Sequence, residues 1–398
     1  TWNQARSYNF VQSRQKNTMQ KVLYLLTLLL ITVYTYADVS PVVINRLTNN
    51  EGLSNSSVNV IYQDSNNLMW FGTWDGLNLY NSREFKTFKP NPNVPGNITN
   101  NIIRDIIETT KGRLWITTDN GINLYTPEAM RFQSFFYDNK ENSIFKERSF
   151  LICKNSHNKV IASVYNTGLY YFDEELSDFI LIRNLKETSL KKLFFDKDDN
   201  LWLFTDNNSL YRVNLDWSKN KPDIKDIKPV ILSQSSHDVF YNLYTNQIWE
   251  QNENRHINIY DVPTETKITE IPFSKVISSI IFEKTGYVIG TANGLFSIQA
   301  QNHEITTLIE DIPVFSIYKG TQDILWVGTD GQGVIMLTPK NNRFTSYSLK
   351  NSSIYGLSPV RCFWENQNKQ LFIGTKGSGL YIFQDDTTEN LFAQFTTN

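Results

Sequence analysis

The chain has few of the residues that metal centres and disulfide scaffolds require. Among its 398 residues there are 2 cysteines and 4 histidines. The cysteines, Cys153 and Cys362, lie too far apart in the sequence to suggest a disulfide framework, and we interpret both as small buried apolar residues. No two histidines have metal-ligand spacing, and there is no HExxH, GxSxG, P-loop or Rossmann motif in its proper context. The sequence therefore predicts neither a metal nor a cofactor.

Charge and long apolar runs are also scarce. The formal net charge is −2, so the protein's overall electrostatic field does not favour binding to nucleic acid or to anionic lipid. The longest apolar run, Val22–Tyr36, is too short for a comfortable membrane span. Amphipathic helical periodicity is hard to find, whereas 20 Tyr and 25 Phe suit stacked β-sheets.

The N-terminal residues carry the pattern of an export signal. Residues 1–18 lack a starting Met, and we interpret them as an upstream extension that is not native. Residues 19–37 combine Lys21, the apolar run and a small-x-small site ending at Ala37, which predicts a cleaved signal peptide. The alternative is an uncleaved N-terminal anchor. In both cases the rest of the chain is predicted to be exported.

One stretch, Leu68–Tyr80, recurs along the whole chain. It reads LMWFGTWDGLNLY: a strand-like run ending in Gly-Thr, a tight turn and a second strand-like run. Eight copies follow one another at steps of roughly 40 to 45 residues, a period typical of propeller blades. Their marker positions are Trp70, Trp115, Val160, Trp202, Trp249, Val288, Trp326 and Phe372.

Each copy is predicted to form four antiparallel strands, which we name A to D from the centre of the ring outwards. The Trp of strand B is predicted to pack between blades, and Gly76, Gly121 and Gly294 to supply unusual turn dihedrals. The third and fifth copies are degraded but are counted as blades. Ser218–Lys228 is predicted to be a charged surface loop.

Ring closure determines the predicted domain boundaries. Val43–Thr48 occupies the place of a strand D and is predicted to pair with Val334–Leu337, so that no sheet edge stays open. This gives an all-β, seven-bladed propeller of four-stranded antiparallel blades over residues 38–340. Residues 341–398 would then start a second, incomplete propeller, opened by Arg343–Ser348.

The pattern GLSxxxVxxIxxDxxxxxWxGTxxGLxxY, fitted by Gly52–Tyr80, resembles the two-component regulator propeller repeat. Such repeats form the periplasmic sensor of hybrid two-component histidine kinases in glycan-foraging gut bacteria. The resemblance implies a periplasmic N-terminal sensor portion, a homodimer in the full-length protein, and a membrane span and kinase further along. The chain departs from the family pattern because it stops in the eighth repeat.

Candidate ligand-binding residues come from the B–C turns and the D–A loops, which emerge on one face of a propeller. Aromatic planes with amides, carboxylates and cations suit a sugar, although turns are polar in any case. Trp74 stands out because a Trp in a tight turn has no obvious structural reason. The candidates in the turns are Trp74, Asp75, Asn120, Tyr165, Gln332 and Lys376. The aspartates in these turns, Asp75, Asp119 and Asp330, are also expected to cap the turn backbone.

Two arginines, Arg104 and Arg361, occupy the same place in strand A of their repeats. Because strand A is innermost, both are expected at the central channel, where they suit an acidic sugar or a carboxylate. Salt bridges to Asp105 or Glu365 are an equally good interpretation.

Taken together, the sequence predicts a sensor that binds an oligosaccharide without turnover. Two alternatives stay open: a lyase or glycosidase on the same fold, which would need a converging acid and base, and a protein–protein scaffold.

Overall fold

The regular secondary structure of the described residues is almost entirely β-strand. The computed structural model describes residues 42–91, 93–110, 112–137, 150–185, 188–218, 221–233, 236–339, 359–384 and 391–395. Its helical content within these ranges is two single 3-10 turns, Asn49–Glu51 and Thr321–Asp323. The predicted extension, signal peptide and Arg343–Ser348 strand lie outside the described residues.

The strands are numbered in chain order and form consecutive groups of four. The first group follows one leading strand, β1 Val42–Leu47, and comprises β2 Val58–Gln63, β3 Met69–Thr73, β4 Gly76–Tyr80 and β5 Phe85–Phe88. The second comprises β6 Ile103–Glu108, β7 Leu114–Thr118, β8 Gly121–Thr126 and β9 Arg131–Phe135. The third comprises β10 Phe150–Lys154, β11 Val160–Val164, β12 Gly168–Asp173 and β13 Asp178–Asn184. The fourth comprises β14 Leu190–Phe195, β15 Leu201–Thr205, β16 Leu210–Asp216 and β17 Asp223–Val230.

The remaining groups continue the pattern. The fifth comprises β18 Ser236–Asn242, β19 Gln247–Asn252, β20 Ile257–Asp261 and β21 Lys267–Ile271. The sixth comprises β22 Ile277–Phe282, β23 Gly286–Thr291, β24 Gly294–Gln299 and β25 Ile305–Glu310. The seventh has β26 Val314–Lys319, β27 Leu325–Thr329 and β28 Val334–Pro339, and the last comprises β29 Val360–Glu365, β30 Gln370–Thr375, β31 Leu380–Gln384 and β32 Leu391–Phe395.

Seven of these groups form a closed ring of four-stranded antiparallel sheets. The A strands contact one another between blades one and two, two and three, three and four, and six and seven, and β26 of blade seven contacts β2 of blade one. Shared core clusters join blade five to blades four and six. Blade seven takes its fourth strand from the start of the chain, because β1 pairs antiparallel with β28, with Ile44 opposite Leu337. The predicted seven-bladed propeller and the predicted closing pair are both confirmed.

The eighth sheet, in the order β29-β30-β31-β32, belongs to a separate compact unit. The ring unit spans Pro41–Pro339, and the second unit includes Lys340–Asn398. Every side chain of β29 is exposed, including Phe363 and Trp364. That this sheet starts a second propeller stays a prediction.

The core lies between blades and is built around the strand-B tryptophans. Trp70, Trp115, Trp202 and Trp249 are each at most 1% exposed. Trp70 of blade one meets Tyr125 of blade two with ring centroids 5.1 Å apart, so the predicted packing role is confirmed. In blade three the equivalent residue is Ile161, which packs towards blade four, and the predicted Val160 is wrong by one position.

The prediction of a surface loop at Ser218–Lys228 is wrong. Asp223–Val230 is β17, the outer strand of blade four. Its Ile224 and Ile227 pack against the core shared with blade three, while its charged residues face solvent. An outer strand with one solvated face tolerates this many charges, and they obscured the alternation.

The Gly-Thr signature of strand B is explained by the B–C turn that follows it. Thr73 Oγ1 donates a hydrogen bond to Gly76 O and accepts one from Asp75 N. Gly76 has a φ of 122°, and a Cβ there would lie 3.0 Å from Phe88 O. Corresponding threonines bond the same turn position in other blades: Thr118, Thr205, Thr291, Thr329 and Thr375.

Candidate functional site

The B–C turns and the D–A loops meet on one side of the ring, which we call the upper face. Trp74 N donates to Ser57 O, in the loop entering blade one, at 3.3 Å. Gly76 N donates to Asn101 O, in the loop entering blade two, at 2.8 Å. The B–C turn of blade one is therefore held between two successive loops. The opposite side, formed by the A–B and C–D turns, is the lower face.

The upper face of blades one and two carries a group that we call the Trp74 cluster: Trp74, Arg104 and Asp119. The Trp74 side chain is 46% exposed. The Arg104 guanidinium carbon lies 5.5 Å from the centroid of the Trp74 ring. Arg104 also makes a two-point ion pair with Asp119, in which Nε donates at 2.5 Å and Nη2 donates at 3.0 Å. The cluster is a fixed aromatic plane beside a cation and an anion.

The ion pair in this cluster orients the Arg104 guanidinium more than it stabilises the fold. Both side chains are partly exposed, at 46% and 31%, so the pair contributes at most about 1 kcal/mol to stability. Two parallel hydrogen bonds nevertheless fix the guanidinium in one plane. The predicted alternative partner of Arg104, Asp105, is wrong, since the ion pair is made with Asp119.

The aspartates of the turns do not cap the turn backbone as the sequence predicted. The Thr that ends strand B takes that role, so the carboxylates reach outward. Asp75 pairs with Lys89 at 2.6 Å. Asp330 accepts a hydrogen bond from the Ser57 hydroxyl at 2.8 Å, which ties blade seven to blade one.

The other predicted residues are distributed around the face. Asn120 and Tyr165 lie in the B–C turns of blades two and three, and Tyr165 is 43% exposed. Gln332 accepts a hydrogen bond from Arg46 of the closing strand at 3.1 Å. Arg361 and Lys376 belong to the second unit and not to the ring unit.

Sequence reasoning missed two partners in this region, Lys89 and Asp119 as the counter-ions of Asp75 and Arg104. Lys89 immediately follows β5, so the repeat pattern alone could have placed it near the turn. Asp119 was singled out only as a turn residue, because nothing in a single repeat shows that Arg104 bends towards it.

In the described ranges no group of three or more His, Cys, Asp or Glu residues is arranged to hold a metal ion. No helix within those ranges is both long and apolar enough to cross a membrane.

The fold and its upper face define a β-propeller that carries an exposed aromatic cluster. Two stretches match the two-component regulator propeller family model, residues 52–75 and 97–120. The predicted repeat type is thus confirmed in blades one and two, and these stretches contain Trp74, Arg104 and Asp119. No curated protein matches the sequence.

Solved structures share the fold. The extracellular domain of a hybrid two-component system, BT3049 from B. thetaiotaomicron, is 21% identical with a TM-score of 0.61, over 89% of this chain and 49% of that chain. The extracellular domain of BT4673 from the same organism is 19% identical with a TM-score of 0.55, over 87% and 46%. The Neurospora crassa Pan2 WD40 domain is 11% identical with a TM-score of 0.54, over 76% and 97%. The chain spans about half the length of the two bacterial domains.

Proposed function

We propose that this propeller is the ligand-sensing portion of a hybrid two-component regulator that recognises an oligosaccharide outside the cytoplasm. It would pass the signal to a kinase carried elsewhere in the full-length protein, acting as a homodimer. The proposal extends to location: the ring is periplasmic and the full-length protein sits in the inner membrane. The eighth sheet is proposed to start a second propeller.

The exposed Trp74 cluster is the main support for this proposal. An indole ring offers an apolar plane for the C–H face of a sugar, and the Arg104–Asp119 pair offers both donors and acceptors to its hydroxyls. The Arg104 and Asp119 side chains hold each other in place before a ligand arrives, which limits the conformational entropy lost on binding. The matched family model and the similarity to the extracellular domain of a hybrid two-component system support a sensing role.

The proposal is tested by measuring whether the protein binds an oligosaccharide without converting it to a product. A chain from Asp38 to Asn398 should be applied to an array of oligosaccharides, and each hit titrated by calorimetry while mass spectrometry follows the ligand. We expect saturable binding of at least one oligosaccharide and no new product. If no oligosaccharide binds, or if the ligand is cleaved, the proposal is wrong.

The Trp74→Ala variant locates the site. We expect it to weaken the affinity by about tenfold or more, because truncating a central aromatic contact commonly costs at least 1.4 kcal/mol. Trp364→Ala is the matched control, since Trp364 is also strongly exposed, at 62%, but belongs to the second unit. Unchanged affinity in the Trp74 variant would exclude this cluster from the site.

A further inference from the structure

A cleft opens on the lower face, between blades three and four. Its volume is about 600 Å³, within the range of small-molecule sites. The walls come from the A–B turn Asn155–Lys159, the C–D turn at Asp173–Glu175, and Asp199 and Trp217 of blade four. The Trp74 cluster is formed by two B–C turns and the start of β6, so the two sites lie on opposite faces of the ring.

Aromatic rings form part of this cleft. Tyr171 and Phe172, at the end of β12, line it, although they are only 6% and 4% exposed. Phe172 is packed against Trp115 with ring centroids 4.6 Å apart, so its position is set by the core. Trp217 lines the cleft directly after β16 and packs against the core shared by blades three and four. The apolar part of the cleft is therefore preformed.

Negative charge dominates the polar part of the cleft. Four carboxylates line it, against Lys159 and His157: Asp173, Glu174, Glu175 and Asp199. The hydrogen bond that Asp173 accepts from the backbone of Leu176 holds the pKa of that carboxyl below its usual value, so it is ionised at neutral pH. A concave site of one sign concentrates ligands of the other sign.

Two of these carboxylates already accept hydrogen bonds from neighbouring groups of the protein. Asp173 accepts hydrogen bonds from the Tyr171 hydroxyl at 3.1 Å and from two backbone N–H groups of its own turn. Asp199 accepts from the backbone N and the hydroxyl of Ser156 at 2.9 and 2.7 Å, joining blade four to blade three. The remaining pair, Glu174 and Glu175, is the part of the lining that a ligand can engage.

Glu174 and Glu175 differ in how much of their charge is compensated. Glu174 lies 3.3 Å from an Arg113 nitrogen, with half of its side chain exposed. Within the described parts of the chain, the Glu175 side chain has no hydrogen-bond or ion-pair partner. At the junction of blades one and two, Glu108 has the role that Asp199 has here, because it accepts hydrogen bonds from the backbone N and the hydroxyl of Ser65. Among the carboxylates that line this cleft, Glu175 thus has the least compensated charge.

We propose that this lower-face cleft binds a small organic ammonium compound, with Glu175 as the main counter-ion and Trp217 as the main apolar contact. Aromatic rings beside carboxylates recognise ammonium groups, because the rings attract the cation and pack against its apolar body. The cleft holds a ligand of about disaccharide size. This binding is independent of the oligosaccharide proposed for the upper face.

A matched pair of disaccharides tests the proposal. The probes are the glucosamine disaccharide, with two ammonium groups, and its N,N′-diacetyl form, which has the same skeleton without charge. Each is titrated by calorimetry into the chain from Asp38 to Asn398. We expect saturable binding of the charged probe, at least about tenfold tighter than that of the acetylated one. Going from about 0.1 M to about 1 M salt, which shortens the Debye length from roughly 10 Å to roughly 3 Å, should weaken it.

Two variants assign the binding to this cleft. Glu175→Gln, at an exposed position, should weaken the charged probe several-fold, whereas Trp74→Ala on the upper face should leave its affinity unchanged. The proposal is overturned if the two disaccharides bind equally, if neither saturates, if Glu175→Gln has no effect, or if Trp74→Ala abolishes binding.

Discussion

At the scale of single residues, an aspartate of the repeat motif is hydrogen-bonded to the motif's buried tryptophan. Asp64 accepts hydrogen bonds from the backbone of Asn66 and Leu68 and from the Trp70 indole at 2.8 Å. Asp196 and Trp202 repeat this arrangement in blade four at the same distance. In these two blades the carboxylate shapes the A–B turn and also satisfies the one polar atom of a buried ring.

Asp105 in strand A of blade two gives a pH-dependent prediction. Burial raises the pKa of its carboxyl from 3.8 to about 6, opposed only by a hydrogen bond from Ile106 N. The folded state therefore holds this proton more tightly than the unfolded state, and stability falls as the pH rises from about 4 to about 6. The loss amounts to at most about 3 kcal/mol.

Asp105→Asn should remove this loss because it cannot ionise. We expect the variant to melt at a higher temperature than the parent at pH 7, with the difference shrinking towards pH 4. Asp226→Asn, at an exposed position of β17, is the control and should shift the melting temperature little. A melting-temperature difference for Asp105→Asn that does not change with pH would contradict the assignment.

Sequence reasoning at this scale singled out Trp74 and Arg104 as candidates but did not predict that Arg104 pairs with Asp119 beside the Trp74 ring. Trp74 was recognisable because a large aromatic is unexpected in a tight turn. The Arg104–Asp119 pair joins a strand and a turn 15 residues apart, and its geometry depends on how the strand twists past the turn. The motif shows which residues recur and leaves open which side chains meet.

At the scale of a single element, blade five shows how a degraded repeat keeps its fold. Glu250 of strand B is fully buried where the other blades of the ring have an apolar residue. Those residues are Phe71, Ile116, Ala162, Leu203, Ile289 and Val327. Four donors surround the Glu250 carboxylate: the hydroxyls of Ser233, Ser236 and Tyr260, and the Asn258 amide. A buried carboxylate needs such partners to be tolerated.

Removing one donor should destabilise this blade. The Tyr260 hydroxyl lies 2.8 Å from Leu232 O and 3.1 Å from Glu250 Oε2. Tyr260→Phe leaves these buried acceptors with fewer partners, so we expect the free energy of unfolding to fall by about 1–3 kcal/mol in urea denaturation. Tyr211→Phe is the control, because the Tyr211 hydroxyl has no hydrogen-bond partner among the described residues. Equal effects of the two substitutions would contradict this role.

The sequence patterns that predict β-strands were clear in the B strands and weak in the outer strand of blade four. The aromatic and β-branched runs of the B strands predicted every blade of the ring, including the degraded third and fifth. The outer strand Asp223–Val230 was missed because it has only two core-facing isoleucines among charged residues. Outer strands are specified mainly by their neighbours, which single-sequence patterns do not contain.

At the scale of the whole molecule, ring closure depends on the first strand of the chain. Besides the β1–β28 pairing, Gly331 N and Gly333 N both donate to Ser56 O, at 3.1 and 2.8 Å. Leu47 at the end of β1 is buried. Closure was predictable from sequence because Val43–Thr48 occupies a strand-D position without a blade of its own.

Removing β1 should open the ring. A chain that begins at Asn49, compared with one that begins at Asp38, should lose at least about 2 kcal/mol of unfolding free energy, the cost of exposing one buried leucine. The open edge of β28 should also promote association, visible as aggregates in size-exclusion chromatography. An unchanged melting temperature together with a monomeric profile would show that β1 is dispensable.

The central claim is that a saccharide binds the upper face of the closed ring at the Trp74 cluster. Hydrogen–deuterium exchange with and without the best-binding oligosaccharide of the array tests it most directly. The account predicts slower exchange in peptides that cover Ser54–Ser57, Thr73–Gly76 and Asn101–Arg104, and no change in those that cover Asn155–Lys159. Protection confined to the lower face, or absent from the ring altogether, would contradict the claim.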